Sequence, residues 1–170
     1  SQAFNEQNNN VLHLKNSNIE LDQSELPELA VLNGDANLTI AATNGGDVAE
    51  NNLTELIDVK FSVIPSIGDL SDSGGIIRIS SAATTMNSYE LEKRSANNTT
   101  QILGTSETLD WTLDGSRHFQ IFGGWTLLTP ESYGSSTGAQ AYALNNLASV
   151  ENVKFRTASI YGGYVQNAHD

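Results

Sequence analysis

The sequence predicts an all-β fold: an antiparallel β-sandwich of the jelly-roll or immunoglobulin-like kind, with about 8–10 short strands and at most one short helix near residues 139–150. Three observations predict it. Short runs of β-branched and aromatic residues recur along the chain. Turn-forming clusters separate them. Where a run can be followed closely, its apolar side chains keep to one face.

Strands are expected at Val11–Leu14, Asn37–Ala42, Ile57–Val63, Ile76–Ser80, Tyr89–Lys93, Thr100–Leu103, Leu109–Leu113, Phe119–Phe122, Trp125–Leu128 and Val153–Tyr161. The breaks are NGD at 33–35, NGGD at 44–47, GDLSDSGG at 68–75, SANN at 95–98 and LDGS at 113–116. These combine Gly, Asn, Asp and Ser, the residues that accept turn geometry. Ala139 to Val150 places Tyr142, Leu147 and Val150 at partly helical spacing, with Asn145-Asn146 in its middle, and reads as a short helix or a loop.

Residues 109–122 carry the closest argument. A three-residue loop at Asp114-Gly115-Ser116 would pair Trp111 with Phe119 and Leu109 with Ile121 in a hairpin. All four apolar side chains then share one face, and register follows the buried face. The same parity sends Gly123 and Trp125 inward and Gly124 outward. IFGGWT at 121–126 and IYGGYV at 160–165 each set two glycines between aromatics. Glycines inside strands mark bends, bulges or close backbone approach. Residues before the two segments do not match at that offset, so no duplicated domain is expected.

The chain reads as a single domain over residues 1–170, with residues 1–14 as an N-terminal arm or exchanged strand. A length of 170 residues suffices for a substantial core. Lys plus Arg number 8 against 20 Asp plus Glu, a net charge of -12, which repels phosphate backbones and anionic lipid. Neither nucleic acid nor membrane insertion is expected, and no run of 18 apolar residues is present. Without cysteine there is no disulfide and no thiolate chemistry. A start at Ser1 fits either removal of a signal peptide or trimming of an initiator Met. N-x-[ST] occurs at Asn37, Asn52, Asn97 and Asn98, about as often as this composition gives by chance.

Catalytic constellations are sparse. Gly134-Ser135-Ser136-Thr137-Gly138 matches G-x-S-x-G, but the following histidine is the penultimate His169 and the acids before it reduce to Glu151. His13, His118 and His169 make no local metal-binding pair. Asp69 and Asp72 lie in an acidic loop that would suit calcium, with Asp47/Glu50 and Asp110/Asp114 as weaker sets; none matches the D-x-[DN]-x-[DN]-G pattern. No enzyme activity and no cofactor are expected.

Asn37 to Val63, NLTIAATNGGDVAENNLTELIDVKFSV, resembles the strand–N-x-G–strand pattern of immunoglobulin-like repeats in prokaryotic surface proteins. The resemblance implies an antiparallel sandwich and a surface location.

Two functions fit. The first is a structural subunit that associates with copies of itself in an extracellular, cell-surface or virion assembly: a filament or pilus, a surface layer, or a capsid shell or decoration. Val11, Leu12 and Leu14 would add a strand to a neighbouring subunit. The second is a carbohydrate-binding or adhesive module, in which Phe122, Trp125, Tyr161 and Tyr164 contact a glycan or a partner.

Overall fold

The computed structural model describes residues 6–22, 38–43, 45–64, 75–83, 92–113, 117–128 and 140–167. These residues are all β, without a helix among them, but every strand pair is parallel. The predicted antiparallel sandwich is therefore overturned, and with it the fold implied by the immunoglobulin-like resemblance. Alternation of apolar and polar residues reports a half-buried strand; it does not report the direction of its neighbour.

The chain winds four times through the same path, with four strands per coil. The first coil contains β1 (Glu6–Asn8), β2 (Val11–Lys15), β3 (Asn18–Asp22) and β4 (Leu38–Ala41). The second contains β5 (Val48–Glu50), β6 (Leu53–Ile57), β7 (Lys60–Ile64) and β8 (Gly75–Ala83). The third contains β9 (Glu92–Ala96), β10 (Thr99–Leu103), β11 (Leu109–Trp111) and β12 (Arg117–Leu128). The fourth contains β13 (Gln140–Leu144), β14 (Leu147–Glu151), β15 (Val153–Phe155) and β16 (Ala158–Asn167). Equivalent strands stack in the orders β1-β5-β9-β13, β14-β10-β6-β2 and β16-β12-β8-β4; on the remaining side β3 pairs β7 and β11 pairs β15. This is a parallel β-helix.

The corner between the first two strands of each coil explains why the chain can turn so tightly. An Asn-Asn pair occupies it four times: 9–10, 51–52, 97–98 and 145–146. The first member is left-handed each time, with φ of 61°, 59°, 57° and 54°. Asn is among the few residues with a side chain that accept this region. The second member points inward and forms a ladder. Asn10 N–H donates to Asn52 Oδ1 at 2.8 Å, Asn52 N–H to Asn98 Oδ1 at 3.0 Å, and Asn98 N–H to Asn146 Oδ1 at 3.0 Å. The amide nitrogens reach back to main-chain carbonyls: Asn52 Nδ2 to Gln7 O, Asn98 Nδ2 to Ala49 O and Asn146 Nδ2 to Ser95 O. Polar groups that a buried corner would otherwise orphan are thereby paired. The next corner repeats the left-handed residue at Asn16, Asp58 and Asn152.

Several expectations are corrected by this path. Residues 140–150 are not a helix: β13 and β14 flank the corner at Asn145-Asn146. Leu109–Trp111 and Phe119–Ile121 do not form a hairpin; β11 pairs β15, while β12 lies between β8 and β16. The shared apolar face is nevertheless real, since Trp111 stacks on Phe119 across the coil interior with ring centroids 5.2 Å apart. The expected strand Ile57–Val63 contains a corner at Asp58-Val59, and Val153–Tyr161 contains another before Ala158. Phe119–Phe122 and Trp125–Leu128 belong to one strand. A repeat does exist, with ladder partners 42, 46 and 48 residues apart. Asn52 and Asn98, two of the four N-x-[ST] asparagines, are buried with their amides engaged in the ladder; Asn37 lies outside the described residues.

The interior has two zones. An apolar zone gathers Leu56, Ile77, Ile79, Ile102, Phe119 and Ile121 around Trp111, whose indole N–H donates to Val59 O at 3.0 Å. A polar zone beside the asparagine ladder contains Thr54, Ser81, Ser95, Thr100 and Thr126. It also holds the ion pair Lys93 Nζ–Asp47 Oδ1 at 2.5 Å, with side-chain exposures of 0% and 4%. Burying either charge without the other would be strongly unfavourable, so the pair ties the loop before β5 to β9.

Replacing Asn98 by Ala removes the side-chain partner of Asn52 N–H and of the Ala49 carbonyl, and one of the two acceptors of Asn52 Nδ2. It should cost about 2–4 kcal/mol in urea unfolding, whereas Asn97→Gly, which keeps the left-handed turn, should stay within about 1 kcal/mol. At the second corner, Asp58 accepts hydrogen bonds from the Thr105 hydroxyl and the Thr105 N–H, which hold its carboxyl below the ordinary aspartate range. A depressed pKa stabilises the fold above the unfolded value of about 3.9, and that contribution is lost as pH falls through the folded value. Acid unfolding of Asp58→Asn should lack this component below about pH 4.

Candidate functional site

The outer face of the β4–β8–β12–β16 sheet carries the most distinctive surface. In register, Arg78 of β8 sits beside Gln120 of β12, and Gln120 beside Ser159 of β16. Phe122 pairs with Tyr161, and Trp125 with Tyr164. These seven residues line a shallow hollow of about 170 Å³. The four aromatics named from the sequence are thus brought together. Phe122 is 5.7 Å from Tyr161 with planes 13° apart, 6.3 Å from Trp125 at 20°, and 5.1 Å from Tyr164 at 34° (ring centroids). Phe122 is 3% exposed and forms the floor; Tyr161, at 46%, is the most open ring.

The glycine pairs make this gathering geometrically feasible. Strict alternation along β12 would turn Trp125 to the face opposite Phe122. Ladder pairing runs to Phe122, skips Gly123 and resumes at Gly124, in register with the same interruption at Gly162. The phase shifts there, so Phe122 and Trp125 share the outer face; the inward placement expected for Trp125 is corrected. Both glycines of β12 instead face the ladder corner. A Cβ on Gly123 would lie 2.5 Å from Leu147 O, and one on Gly124 would lie 2.6 Å from Asn146 Oδ1. A Cβ on Gly162 would meet Asn146 O at 2.5 Å. In the second coil the equivalent position is Ser81, whose hydroxyl fits because it accepts from Thr54 N–H and bonds Thr100 Oγ1. Backbone approach, with a local break in the strand, is the reason for the repeated Gly-Gly.

The polar rim is held in place. Arg78 is 5% exposed; it donates from Nε and Nη2 to Gln120 Oε1 at 3.1 and 2.8 Å, and its guanidinium lies 4.0 Å from the Trp125 ring centroid. Stacking and a forked hydrogen bond together fix the plane of that cation. Ser159 Oγ and His118 Nε2 are 2.9 Å apart. That is a nucleophile–base distance, but among the described residues no carboxylate hydrogen-bonds the imidazole to orient it. Trp125 Nε1 is the one buried side-chain polar atom without a hydrogen-bond partner among the described residues.

The other sequence candidates are scattered. Val11, Leu12 and Leu14 lie on β2, which pairs with β6 of the same chain. Leu14 packs against the core, Leu12 is half-buried and Val11 is 66% exposed. Asp69 and Asp72, the acidic calcium loop, lie outside the described residues, as do the G-x-S-x-G segment, Asp114 and His169. Asp47 pairs with Lys93 and Glu50 with Arg94. Asp110 Oδ1 accepts from Thr112 N–H and Oγ1. No group of three or more metal-ligating side chains occurs among the described residues. Compared with known protein families, curated proteins and solved structures, the chain matches none of them.

Arg78, Gln120 and Ser159 escaped the sequence reading. The signal was the offset of IFGGWT to IYGGYV: extended one residue back, it aligns Gln120 with Ser159.

Gly123→Ala should lower stability by about 3 kcal/mol, because the methyl meets main chain that cannot withdraw. Trp125→Phe removes the unpartnered indole N–H while keeping an aromatic face, so its melting temperature should change by less than that of Trp125→Ala. Thermal unfolding followed by circular dichroism compares all three.

Proposed function

We propose that this β-helix is a non-enzymatic carbohydrate-binding module and that the aromatic hollow is its binding surface. The observation that supports the reading is the convergence of Phe122, Trp125, Tyr161 and Tyr164 beside Arg78, Gln120 and Ser159. A sugar presents apolar C–H faces and a rim of hydroxyls. Ring faces suit the first, and amide, guanidinium and hydroxyl groups suit the second; a concave surface that combines aromatic rings with a few fixed polar groups is a common form of a small-molecule site. Rings held by mutual stacking and by the guanidinium lose little entropy when a ligand arrives.

The hollow is shallow and admits one or two sugar units, so a single site should bind weakly, with a Kd on the order of 0.1–1 mM. A glycan array followed by calorimetry on the best ligand tests this. Tyr161→Ala should weaken binding at least tenfold with little change in melting temperature, since that ring is half open. Trp125→Ala should also weaken it. Absence of binding to any glycan, or equal binding by the Tyr161→Ala variant, would refute the reading.

A further inference from the structure

The six large apolar side chains most exposed among the described residues sit on the two outermost coils. Five are on the fourth: Leu147 at 63%, Leu144 at 49%, Ile160 and Tyr161 at 46% and Val165 at 44%. The sixth is Val11 on the first coil, at 66%. Val11 and Leu147 are the two ends of a single outward column, Val11–Leu53–Thr99–Leu147, in which each residue is the register partner of the next. The inner members, Leu53 and Thr99, are half-buried because a coil covers them on both sides.

The bonding at the asparagine corner has a direction. Asn9, Asn51 and Asn97 donate their N–H to the next coil's Glu50, Ala96 and Leu144 carbonyls. Asn10, Asn52 and Asn98 donate theirs to the next asparagine Oδ1. Leu53, Thr99 and Leu147 donate back to the Asn10, Asn52 and Asn98 carbonyls. Each series runs three times. Its fourth term would need Asn145 N–H, Asn146 N–H and Asn146 O on one side. On the other it would need Asn8 O, Asn10 Oδ1 and Val11 N–H, which are the corresponding groups of the first coil.

We propose that the fourth-coil face docks the first coil of a second copy of this chain, head to tail, continuing the asparagine ladder and the three four-stranded sheets across the junction. The two surfaces differ and are complementary, so the contact is heterologous; it does not close on itself and generates a linear stack. Among the described residues no strand pairs on the outer edges of the first and fourth coils, and such parallel edges template further strands. The junction repeats the corner bonding and the strand pairing of the three four-stranded sheets, which the chain already makes three times within itself. Four strand spacings of about 4.8 Å give a rise of about 19 Å per copy. Copies carrying a charge of -12 repel one another, so added salt should promote stacking. This inference is independent of the carbohydrate reading.

The test uses the 170-residue chain and its Val11→Lys and Leu147→Lys variants, each altering an exposed side chain at one end only. Sedimentation velocity and electron microscopy should show the parent forming rods that lengthen with concentration and salt. Each variant alone should be monomeric, because a buried lysine opposes the one contact a polymer needs. Mixed, the two variants should give a one-to-one dimer and nothing longer, through the fourth coil of Val11→Lys and the first coil of Leu147→Lys. A monomeric parent, rods formed by either variant alone, or a mixture that stays monomeric overturns the proposal. A dimer retained by one variant alone, which marks a two-fold contact, or binding only of added first-coil peptide without self-association also overturns it.

Discussion

Four inward-facing asparagines at one corner set the geometry of the molecule. Each converts a sharp bend between strands, which would leave amides and carbonyls buried without partners, into a chain of hydrogen bonds running perpendicular to the strands. The cost of orphaning such groups, about 1–3 kcal/mol each, makes the corner an all-or-none arrangement. A residue with shorter reach could not span from one coil to the next, and a longer one would not fit beneath the β12 and β16 main chain. The asparagine before it supplies the left-handed turn. Together the two residues do in each coil what a tight turn does in a hairpin, but they keep the strands parallel.

The glycines are the counterpart of that choice. Once Asn146 occupies the corner, the strands on the opposite sheet have to pass over it at main-chain distance. Gly123, Gly124 and Gly162 supply that clearance. Their presence breaks the alternation of β12, and the break turns Trp125 outward beside Phe122. The aromatic surface thus arises from a packing demand at the ladder: interior corner, strand break and exterior hollow form one connected arrangement.

The sequence showed strand content, the apolar cluster around Trp111 and Phe119, and the four aromatics of the hollow. It hid the direction of pairing. Leu109, Trp111, Phe119 and Ile121 satisfy a hairpin and a coil equally well, because both bury the same alternate positions; only the partner of β12 differs. The repeat was visible in two fragments, the Asn-Asn pairs and the Gly-Gly pairs, but segments of unequal length between β3 and β4 or between β8 and β9 vary its period. Asn145-Asn146 counted against a helix when it marked a corner. Arg78, Gln120 and Ser159 could be grouped only through the parallel register, since nothing local distinguishes them.

A solenoid also separates two demands that compete in a closed sandwich. Its core is filled coil by coil, so each coil contributes apolar side chains such as Leu56, Ile102 and Val150 at equivalent inward positions, while the outward positions vary. Arg78, Gln120 and Ser159 differ in chemistry although they occupy one column; so do Ser80, Phe122 and Tyr161. Variation along an outward column has little effect on the interior, so a binding surface can be written across neighbouring coils without disturbing the ladder. That freedom is lost only at Gly123-Gly124, where the surface and the corner share the same main chain. Substitutions there act on shape and stability together, whereas substitutions at Tyr161 act on the surface alone.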